Sequence, residues 1–228
     1  MIQVHDVHKS YGDVKALDGL SFHVQKGSIF GLLGANGAGK STILSILNGL
    51  STYENGYIEI ANLDLKTHQR DIRKISSLVP QNLAFYERLS VRENLDFFSK
   101  VQKTNKEQYQ KAIEVNNLEN FLDKRAAFLS GGQKRRLNIA IGLLNNPKII
   151  YFDEPTVGVD PKSRSEILES IKSYKDFGIT VLYTSHQLDE VSMLCDEVAI
   201  IDFGKCAIQT KITPKTNLKK YFWEQTNV

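Results

Sequence analysis

A glycine-rich stretch near the start of the chain has the residues of a phosphate-binding loop. It matches the pattern Gly-x-x-x-x-Gly-Lys-Ser, whose glycines let consecutive backbone N–H groups turn toward an anion without a side-chain clash. Lys40 would contribute a cation to the β- and γ-phosphates, Ser41 a hydroxyl to Mg²⁺, and Thr42 a hydroxyl near the α-phosphate. The pattern predicts a nucleoside triphosphate site made of Gly34, Ala35, Asn36, Gly37, Ala38, Gly39, Lys40, Ser41 and Thr42.

The residues on either side favour this interpretation over a glycine-rich turn that matches by chance. The apolar run from Ser28 to Leu33 predicts a strand buried on both faces, and it enters the loop directly. Apolar residues after Lys40 have helical spacing until Gly49, so a helix would direct its positive end at the phosphates. The motif by itself does not distinguish a kinase, a GTPase or a motor.

Two adjacent carboxylates end a second apolar run. The run Ile149–Phe152 predicts a buried strand, and its end at the carboxyl edge of the sheet would place Asp153 and Glu154 near the phosphate loop. Asp153 is then placed to hold Mg²⁺ through water, and Glu154 to accept a proton from an attacking water. An acidic strand end that only caps the helix starting near Pro161 is the alternative, and the phosphate loop argues against it.

A third stretch predicts another phosphate site. It places a serine and two glycines at the start of a helix, where free N–H groups and the helix dipole favour anions. A second phosphate site in one small domain requires an explanation. The stretch consists of Leu129, Ser130, Gly131, Gly132 and Gln133.

With Leu-Ser-Gly-Gly-Gln shortly before the acidic strand, the sequence resembles the ATP-binding-cassette (ABC) ATPases, for which this signature is diagnostic. The resemblance covers essentially the whole chain. It implies a head-to-tail pair of subunits, in which the signature of one touches the γ-phosphate of ATP on the phosphate loop of the other. ATP would hold the pair together and hydrolysis would release it. We expect a homodimer, although a different ATPase could be the second subunit.

The resemblance assigns roles to four further residues. Tyr11 stands where the family has an aromatic residue that stacks on adenine, although it could be an ordinary strand-end tyrosine. Gln81 matches a glutamine that touches Mg²⁺ and the attacking water and senses the membrane partner. Asp160 matches the dimer-contact loop, where Val159 replaces the family's commoner leucine. His186 matches the histidine on the γ-phosphate. The resemblance thus implies Glu154, His186 and Gln81 as catalytic residues, and Ser41, Gln81 and Asp153 as Mg²⁺ ligands.

Two stretches are similar to the drug-, bacteriocin- and sodium-efflux branch of ABC exporters. They are Phe85–Leu95 and Glu154–Pro161. In that branch the ATPase is a separate polypeptide, docked on a six-helix permease at the cytoplasmic face of the membrane. Leu83, Phe85 and Tyr86 are candidates for the groove that receives a permease helix, and core packing of a helical lobe is the alternative.

Three other functions fit the sequence less well. An importer ATPase often has a C-terminal regulatory domain, for which the tail here is short. A soluble cassette that acts on ribosomes or nucleic acid usually has two cassettes or a coiled coil, and no heptad run occurs here. A binding module without hydrolysis is disfavoured because Lys40, Asp153, Glu154 and His186 are all present. The sequence does not identify the transported substrate.

Strands and helices alternate along most of the chain, which predicts an α/β fold with a mostly parallel sheet flanked by helices, as in P-loop NTPases. We predict one ABC ATPase domain. Its core, at residues 1–81 and 145–228, includes an N-terminal antiparallel β subdomain, and residues 82–144 form an inserted helical lobe with the signature. The tail from Thr213 is predicted as either a short helix or a frayed end. The predicted strands are Ile2–Val7, Leu20–Val24, Ser28–Leu33, Tyr57–Ile60, Ile75–Val79, Lys148–Phe152, Ile179–Thr184 and Glu197–Asp202, and the predicted helices outside the phosphate loop are Ser90–Phe98, Lys106–Asn116, Pro161–Asp176 and Leu188–Leu194.

Composition excludes several classes of protein. A hydrophobic content of 41% is enough to form a core, which excludes an intrinsically disordered chain. The formal charge of +3 is nearly balanced, so no nucleic-acid partner is expected. No apolar run approaches the roughly 20 residues that span a bilayer, and Met1–Asp6 does not begin a signal peptide. The two cysteines predict no disulfide framework and suit a reducing compartment.

Overall fold

The computed structural model describes residues 1–214 and 216–225, which form two sheets and a set of helices. The strands are β1 (Ile2–Tyr11), β2 (Val14–Val24), β3 (Ile29–Leu33), β4 (Asn55–Ile60), β5 (Leu63–Asp64), β6 (Ser76–Val79), β7 (Ile149–Asp153), β8 (Thr180–Ser185), β9 (Glu197–Asp202) and β10 (Lys205–Lys211). The α-helices are α1 (Lys40–Leu47), α2 (Gln69–Ile75), α3 (Val91–Gln102), α4 (Lys106–Val115), α5 (Gly131–Leu143), α6 (Pro161–Ser173), α7 (Leu188–Leu194) and α8 (Leu218–Gln225).

The central sheet has the order β10-β9-β3-β8-β7-β6. All its neighbouring pairs are parallel except β9 and β10, so the prediction of a mostly parallel sheet is confirmed. Every residue of β3 and β8 is buried, because α1 and the N-terminal strands cover one face of the sheet and α6 and α7 cover the other. Parallel strands end at the same edge, so the chain after β3, β7 and β8 emerges at one place.

A second sheet contains the N-terminal strands in the order β2-β1-β4-β5, with every pair antiparallel. Its inner face packs with α1 and one face of the central sheet in a single hydrophobic cluster. β1 alternates between buried and exposed residues at its start, as the spacing of Ile2 and Val4 predicts, and β2 alternates in the same way at its end. β1 and β2 are longer than predicted, since register shifts let them continue past irregular positions.

Helices α3, α4 and α5 pack around a hydrophobic cluster of their own. A capping box starts α3, as predicted: the Ser90 hydroxyl accepts from the Glu93 N–H, and the Glu93 carboxylate accepts from the Ser90 N–H. Ser130 and Gln133 form the same arrangement at the start of α5. Helix α4 begins at Lys106 as predicted and ends one residue early, whereas α3 continues past the predicted end at Phe98 to Gln102. Residues 82–144 stay our predicted extent for the inserted lobe.

Several elements differ from the sequence predictions. Helix α2 and strand β10 were not predicted, because each has few buried apolar residues. Ile75 ends α2 instead of starting the next strand. Helix α6 ends at Ser173 and continues as a 3₁₀ turn to Phe177. In the tail the described residues include the helix α8, one of the two alternatives, whereas residues 215 and 226–228 lie outside the described part.

The structure also bears on membrane insertion. Within residues 1–214 and 216–225, no helix has the length and apolar content to cross a bilayer.

Candidate nucleotide-binding site

A cleft of about 420 Å³ lies where β3, β7 and β8 end at the edge of the central sheet. It brings together the phosphate loop, the residue after β7 and the residue after β8. Three lining residues, Val14, Ala16 and Val157, were not predicted, since only the fold brings them to this edge. The cleft is lined by Val14, Ala16, Asn36, Gly37, Gly39, Lys40, Ser41, Thr42, Gln81, Glu154, Val157 and His186.

The phosphate loop wraps around the buried side chain of Lys40. The Lys40 ammonium donates to the carbonyl oxygens of Gly34 at 2.8 Å and Ala35 at 3.0 Å. Gly39 caps the following helix in a left-handed conformation, with φ +104°, and a Cβ there would overlap the carbonyl oxygen of Ala16. Only glycine fits such a position, so this residue sets the path by which the loop enters α1.

Ser41 and Asp153 meet beside the lysine. The Ser41 hydroxyl donates to Oδ1 of Asp153 at 3.0 Å, which joins the first turn of α1 to the end of β7. Carboxylate and hydroxyl oxygens suit Mg²⁺, which proteins usually bind through one or two carboxylates, with phosphates and water completing its shell. The described residues contain no group of three or more His, Cys, Asp or Glu side chains arranged for a metal. The pair fits the cation that the phosphate loop implies.

Glu154 lies between two basic side chains. Its Oε1 is 3.3 Å from the Lys40 ammonium, and its Oε2 is 3.2 Å from Nδ1 of His186. The backbone of Glu154 is left-handed, with φ +45°, a conformation that costs a residue with a side chain roughly 1–3 kcal/mol. Strained backbone conformations concentrate at functional sites. Here the left-handed conformation directs the Glu154 carboxylate into the cleft.

A buried carboxylate supports the turn that carries His186. Oε2 of Glu190, on α7, accepts hydrogen bonds from the hydroxyls of Thr156, Tyr183 and Ser185. Burial, reinforced by Glu190, raises the pKa of the Tyr183 phenol, so this group stays protonated and donates. Residues from the loop after Glu154, from β8 and from α7 therefore converge on one oxygen atom.

The signature residues Leu129, Ser130, Gly131, Gly132 and Gln133 lie outside this cleft, at the start of α5. Their helix packs against α6, where Asp160 caps the first turn by accepting from the Ser163 N–H at 3.0 Å. That hydrogen bond lowers the pKa of Asp160. Helix α5 also holds the segment around Gln81, since Asn138 donates to the Pro80 carbonyl and accepts from the Ala84 N–H.

Tyr11 is not among the residues that line the cleft. Its ring is about half exposed, carries the Lys9 ammonium 5.1 Å from the centroid, and has its hydroxyl 3.4 Å from the Ser51 hydroxyl. Val14 of β2, also exposed, lines the cleft instead. Adenine stacking by Tyr11 therefore stays a prediction, and no sequence signal marks Val14.

Comparison with known proteins identifies the family. The sequence profile of the ABC transporter family matches residues 17–157 of the chain. The chain therefore belongs to the ABC transporter family, as an ABC ATPase and ATP-binding subunit.

Named relatives match nearly the whole chain. It is 42% identical over 217 residues to the linearmycin resistance ATP-binding protein LnrL of Bacillus subtilis (strain 168), covering 92% of this chain and 70% of that protein. It is 39% identical to the Nod factor export ATP-binding protein I of Rhizobium meliloti and 35% identical to the daunorubicin resistance ATP-binding protein DrrA3 of Streptomyces coeruleorubidus, in both cases over 90% of the chain. The chain spans 62% and 66% of the lengths of these two relatives.

Solved structures share the fold. The dimeric post-hydrolysis structure of the ATP-binding cassette MJ0796 bound to ADP and Pi has a TM-score of 0.83 at 25% identity, covering 93% of this chain and 99% of that one. The structure of an ATP-binding subunit of an ABC transporter has a TM-score of 0.86 at 25% identity, covering 99% of each chain. Both structures match this chain over almost their full length.

Proposed function

We propose that this chain couples ATP hydrolysis to export, as the nucleotide-binding subunit of a transporter with a separate membrane permease. The observation that supports hydrolysis is the position of Glu154, a buried carboxylate held in a strained backbone between Lys40 and His186 at the cleft. A base needs this combination of fixed geometry and nearby proton-transfer partners.

The residues of the cleft take complementary roles in this proposal. The phosphate loop, residues 34–42, holds the phosphates of ATP, and Lys40 neutralises charge on the β- and γ-phosphates. Glu154 accepts the proton of the attacking water, while His186 contacts the γ-phosphate and orients the Glu154 carboxylate. Gln81, which lines the same cleft, positions the water.

Ser41, Asp153 and Gln81 would hold Mg²⁺ at this site. When bound, the ion neutralises phosphate charge in the transition state. The hydrogen bond between Ser41 and Asp153 supports this assignment, because it brings a hydroxyl oxygen and a carboxylate oxygen side by side in the structure.

Two copies of the chain would complete two nucleotide sites. The signature residues 129–133 begin a helix whose free N–H groups suit an anion, yet they lie outside the chain's own cleft. A head-to-tail homodimer would place each signature on the γ-phosphate held by the other copy, with Asp160 at the contact between them. The dimeric structure of the cassette MJ0796 with ADP and Pi supports the formation of a dimer.

An exposed aromatic surface on the helical lobe is our candidate for permease docking, at the cytoplasmic face of the membrane. Of the predicted groove residues, Leu83 and Tyr86 are exposed, whereas Phe85 packs partly into the lobe's hydrophobic cluster. Phe97 extends the surface, with its ring edge on Tyr86 at a centroid distance of 5.2 Å. Export, rather than import, is supported by relatives named for drug resistance and Nod factor export.

Glu154→Gln tests the hydrolytic mechanism. We expect ATP turnover to fall by about 10²- to 10⁴-fold, because the amide cannot accept the proton, while an ATP-bound dimer accumulates. Near-normal turnover would exclude Glu154 as the base, and a monomer in ATP and Mg²⁺ by analytical ultracentrifugation would exclude the sandwich.

Affinity purification from solubilised membranes tests the transport function. We expect a multi-helix membrane protein to co-purify and to be identified by mass spectrometry. Recovery of ribosomes or nucleic acid, without a membrane protein, would contradict the transport function.

A further inference from the structure

Thr184, at the carboxyl end of β8, lies behind both acidic residues and is fully buried. Its hydroxyl oxygen is 3.0 Å from Oδ1 of Asp153 and 3.2 Å from the Phe152 carbonyl oxygen, and it accepts the Glu154 N–H at 3.0 Å. The contacts follow from strand register, because Asp153 and Thr184 are paired across the parallel strands β7 and β8. One hydroxyl therefore contacts both residues of the acidic pair.

The hydroxyl has one proton and two acceptors in reach. A carboxylate accepts more strongly than a neutral carbonyl, so Asp153 is the favoured acceptor. Ser41 donates to the same Oδ1 atom from the opposite element, α1. Two donors from two different elements fix the orientation of the Asp153 carboxylate.

The oxygen of the same hydroxyl acts on Glu154 through the backbone. The Glu154 N–H would otherwise lie buried beside β8, and Thr184 satisfies it. This hydrogen bond stabilises the left-handed backbone of Glu154, which turns its side chain toward Lys40 and His186. His186 itself follows Thr184 by two residues along the chain.

We propose that Thr184 is a positioning residue for ATP hydrolysis, whose hydroxyl fixes the Asp153 carboxylate and the Glu154 backbone. The proposal rests on the proposed function of that pair. It requires that the Thr184 hydroxyl, and not the volume of the side chain, determines the Mg²⁺ dependence and the rate of ATP turnover.

Thr184→Val removes the hydroxyl and keeps the β-branched shape, whereas Thr184→Ser keeps the hydroxyl. Thr180→Val is the matched control: Thr180 is a fully buried threonine at the other end of the same strand, where its hydroxyl accepts from Gly27 N–H at 2.9 Å. Three quantities are compared: kcat, the Mg²⁺ concentration for half-maximal turnover, and the affinity of a fluorescent ATP analogue with and without Mg²⁺. Melting temperature is recorded for every variant.

For Thr184→Val we expect a rise in half-saturating Mg²⁺ and a fall in kcat, each of about 10- to 100-fold, as is usual when a partner of a metal ligand is removed. Nucleotide affinity without Mg²⁺ should match that of the wild type. Thr184→Ser should behave like the wild type, and Thr180→Val should change melting temperature alone. If the valine variant does not fold, Thr184→Ala replaces it, because alanine and serine differ only by the hydroxyl.

Wild-type Mg²⁺ dependence and kcat in Thr184→Val would overturn the proposal. So would an equal loss in the serine and valine variants, or the same loss in Thr180→Val. Glu154→Gln distinguishes failure of the proposed function from failure of this inference. If that variant keeps its ATP turnover, the assignment of Glu154 as the base is wrong. The effect of Mg²⁺ on the affinity of Thr184→Val for the ATP analogue still tests whether Thr184 positions Asp153.

Discussion

The ammonium group of Lys40 lies 3.3 Å from a carboxylate oxygen of Glu154, and both side chains are buried. The same ammonium donates to the carbonyls of Gly34 and Ala35, so its three contacts are all acceptors of the protein itself. A γ-phosphate in the cleft would compete with Glu154 for this cation. The pair therefore links nucleotide binding to the position of the proposed base.

Glu154→Gln should bind ATP at least as tightly as the wild type, because a neutral amide competes less strongly for Lys40. Lys40→Met should weaken binding by roughly 10- to 100-fold, the expected loss of a hydrogen bond between charged groups. Equilibrium binding of a fluorescent ATP analogue measures both. Weaker ATP binding in Glu154→Gln would contradict this: the ion pair between Lys40 and Glu154 would then help binding by stabilising the phosphate loop more than it hinders binding by competing with the phosphate.

Gly132→Ala should destabilise the protein, because a Cβ at Gly132 would overlap the Ser163 side chain where α5 crosses α6. Overpacking of this kind costs about 1–3 kcal/mol of unfolding free energy. Chemical denaturation provides the measurement. The signature glycine would then be required for packing within one chain, in addition to any contact with phosphate.

Gly131→Ala is the control for that experiment. A Cβ at Gly131 meets no atom nearer than the Gly158 carbonyl oxygen at 3.9 Å, so stability should be unchanged. Its effect, if the signature binds the partner's ATP, should appear in ATP-dependent dimer formation. If Gly131→Ala and Gly132→Ala lowered the free energy of unfolding equally, overlap at the crossing of α5 and α6 would not be the reason for the loss.

Asn138→Ala should loosen the segment that carries Gln81. The Asn138 amide spans this segment, donating to the Pro80 carbonyl and accepting from the Ala84 N–H, and its removal breaks both hydrogen bonds that tie the segment to α5. Amide hydrogen exchange should rise in residues 81–86. Asn138→Asp, which keeps the acceptor for Ala84 but not the donor for Pro80, should show a smaller rise; unchanged exchange in both variants would contradict the prediction.

Phe97→Ala should reduce recovery of the permease from solubilised membranes, because Phe97 and Tyr86 form the exposed aromatic surface of the helical lobe. Buried aromatic anchors of an interface typically contribute about 2 kcal/mol or more. Met193→Ala is the control, since Met193 is also exposed but lies on α7. Equal recovery with Phe97→Ala and Met193→Ala would place the docking surface elsewhere.

The sequence was sufficient to predict the strands and helices whose residues form a strong apolar or capping pattern. The apolar run of β3 and the capping box at Ser90 both predict local structure correctly, because burial and capping act over a few residues. Strand β10 escaped prediction, since its residues are mostly half-buried or exposed and no clear alternation marks it. Helix α2 buries only Ile72 and has no side-chain cap, which leaves it without a helical signal.

The motifs predicted which residues would meet in the cleft, but not how they are held there. Thr184 contacts Asp153 only through the register of β7 and β8, and Gly132 meets Ser163 only through the crossing of two helices. Both depend on tertiary packing, which no short pattern encodes. Val14 and Val157 reach the cleft for the same reason.

Because the backbone at Glu154 is left-handed, the residue that ATP hydrolysis requires at this position is not the residue that gives the most stable fold. Glycine adopts that conformation without strain, and asparagine tolerates it better than glutamate does. A library selected for thermostability alone should therefore enrich glycine or asparagine at residue 154 and lose hydrolysis as it does so. Engineering this cassette for heat resistance requires that residue 154 be held constant while the rest of the chain varies.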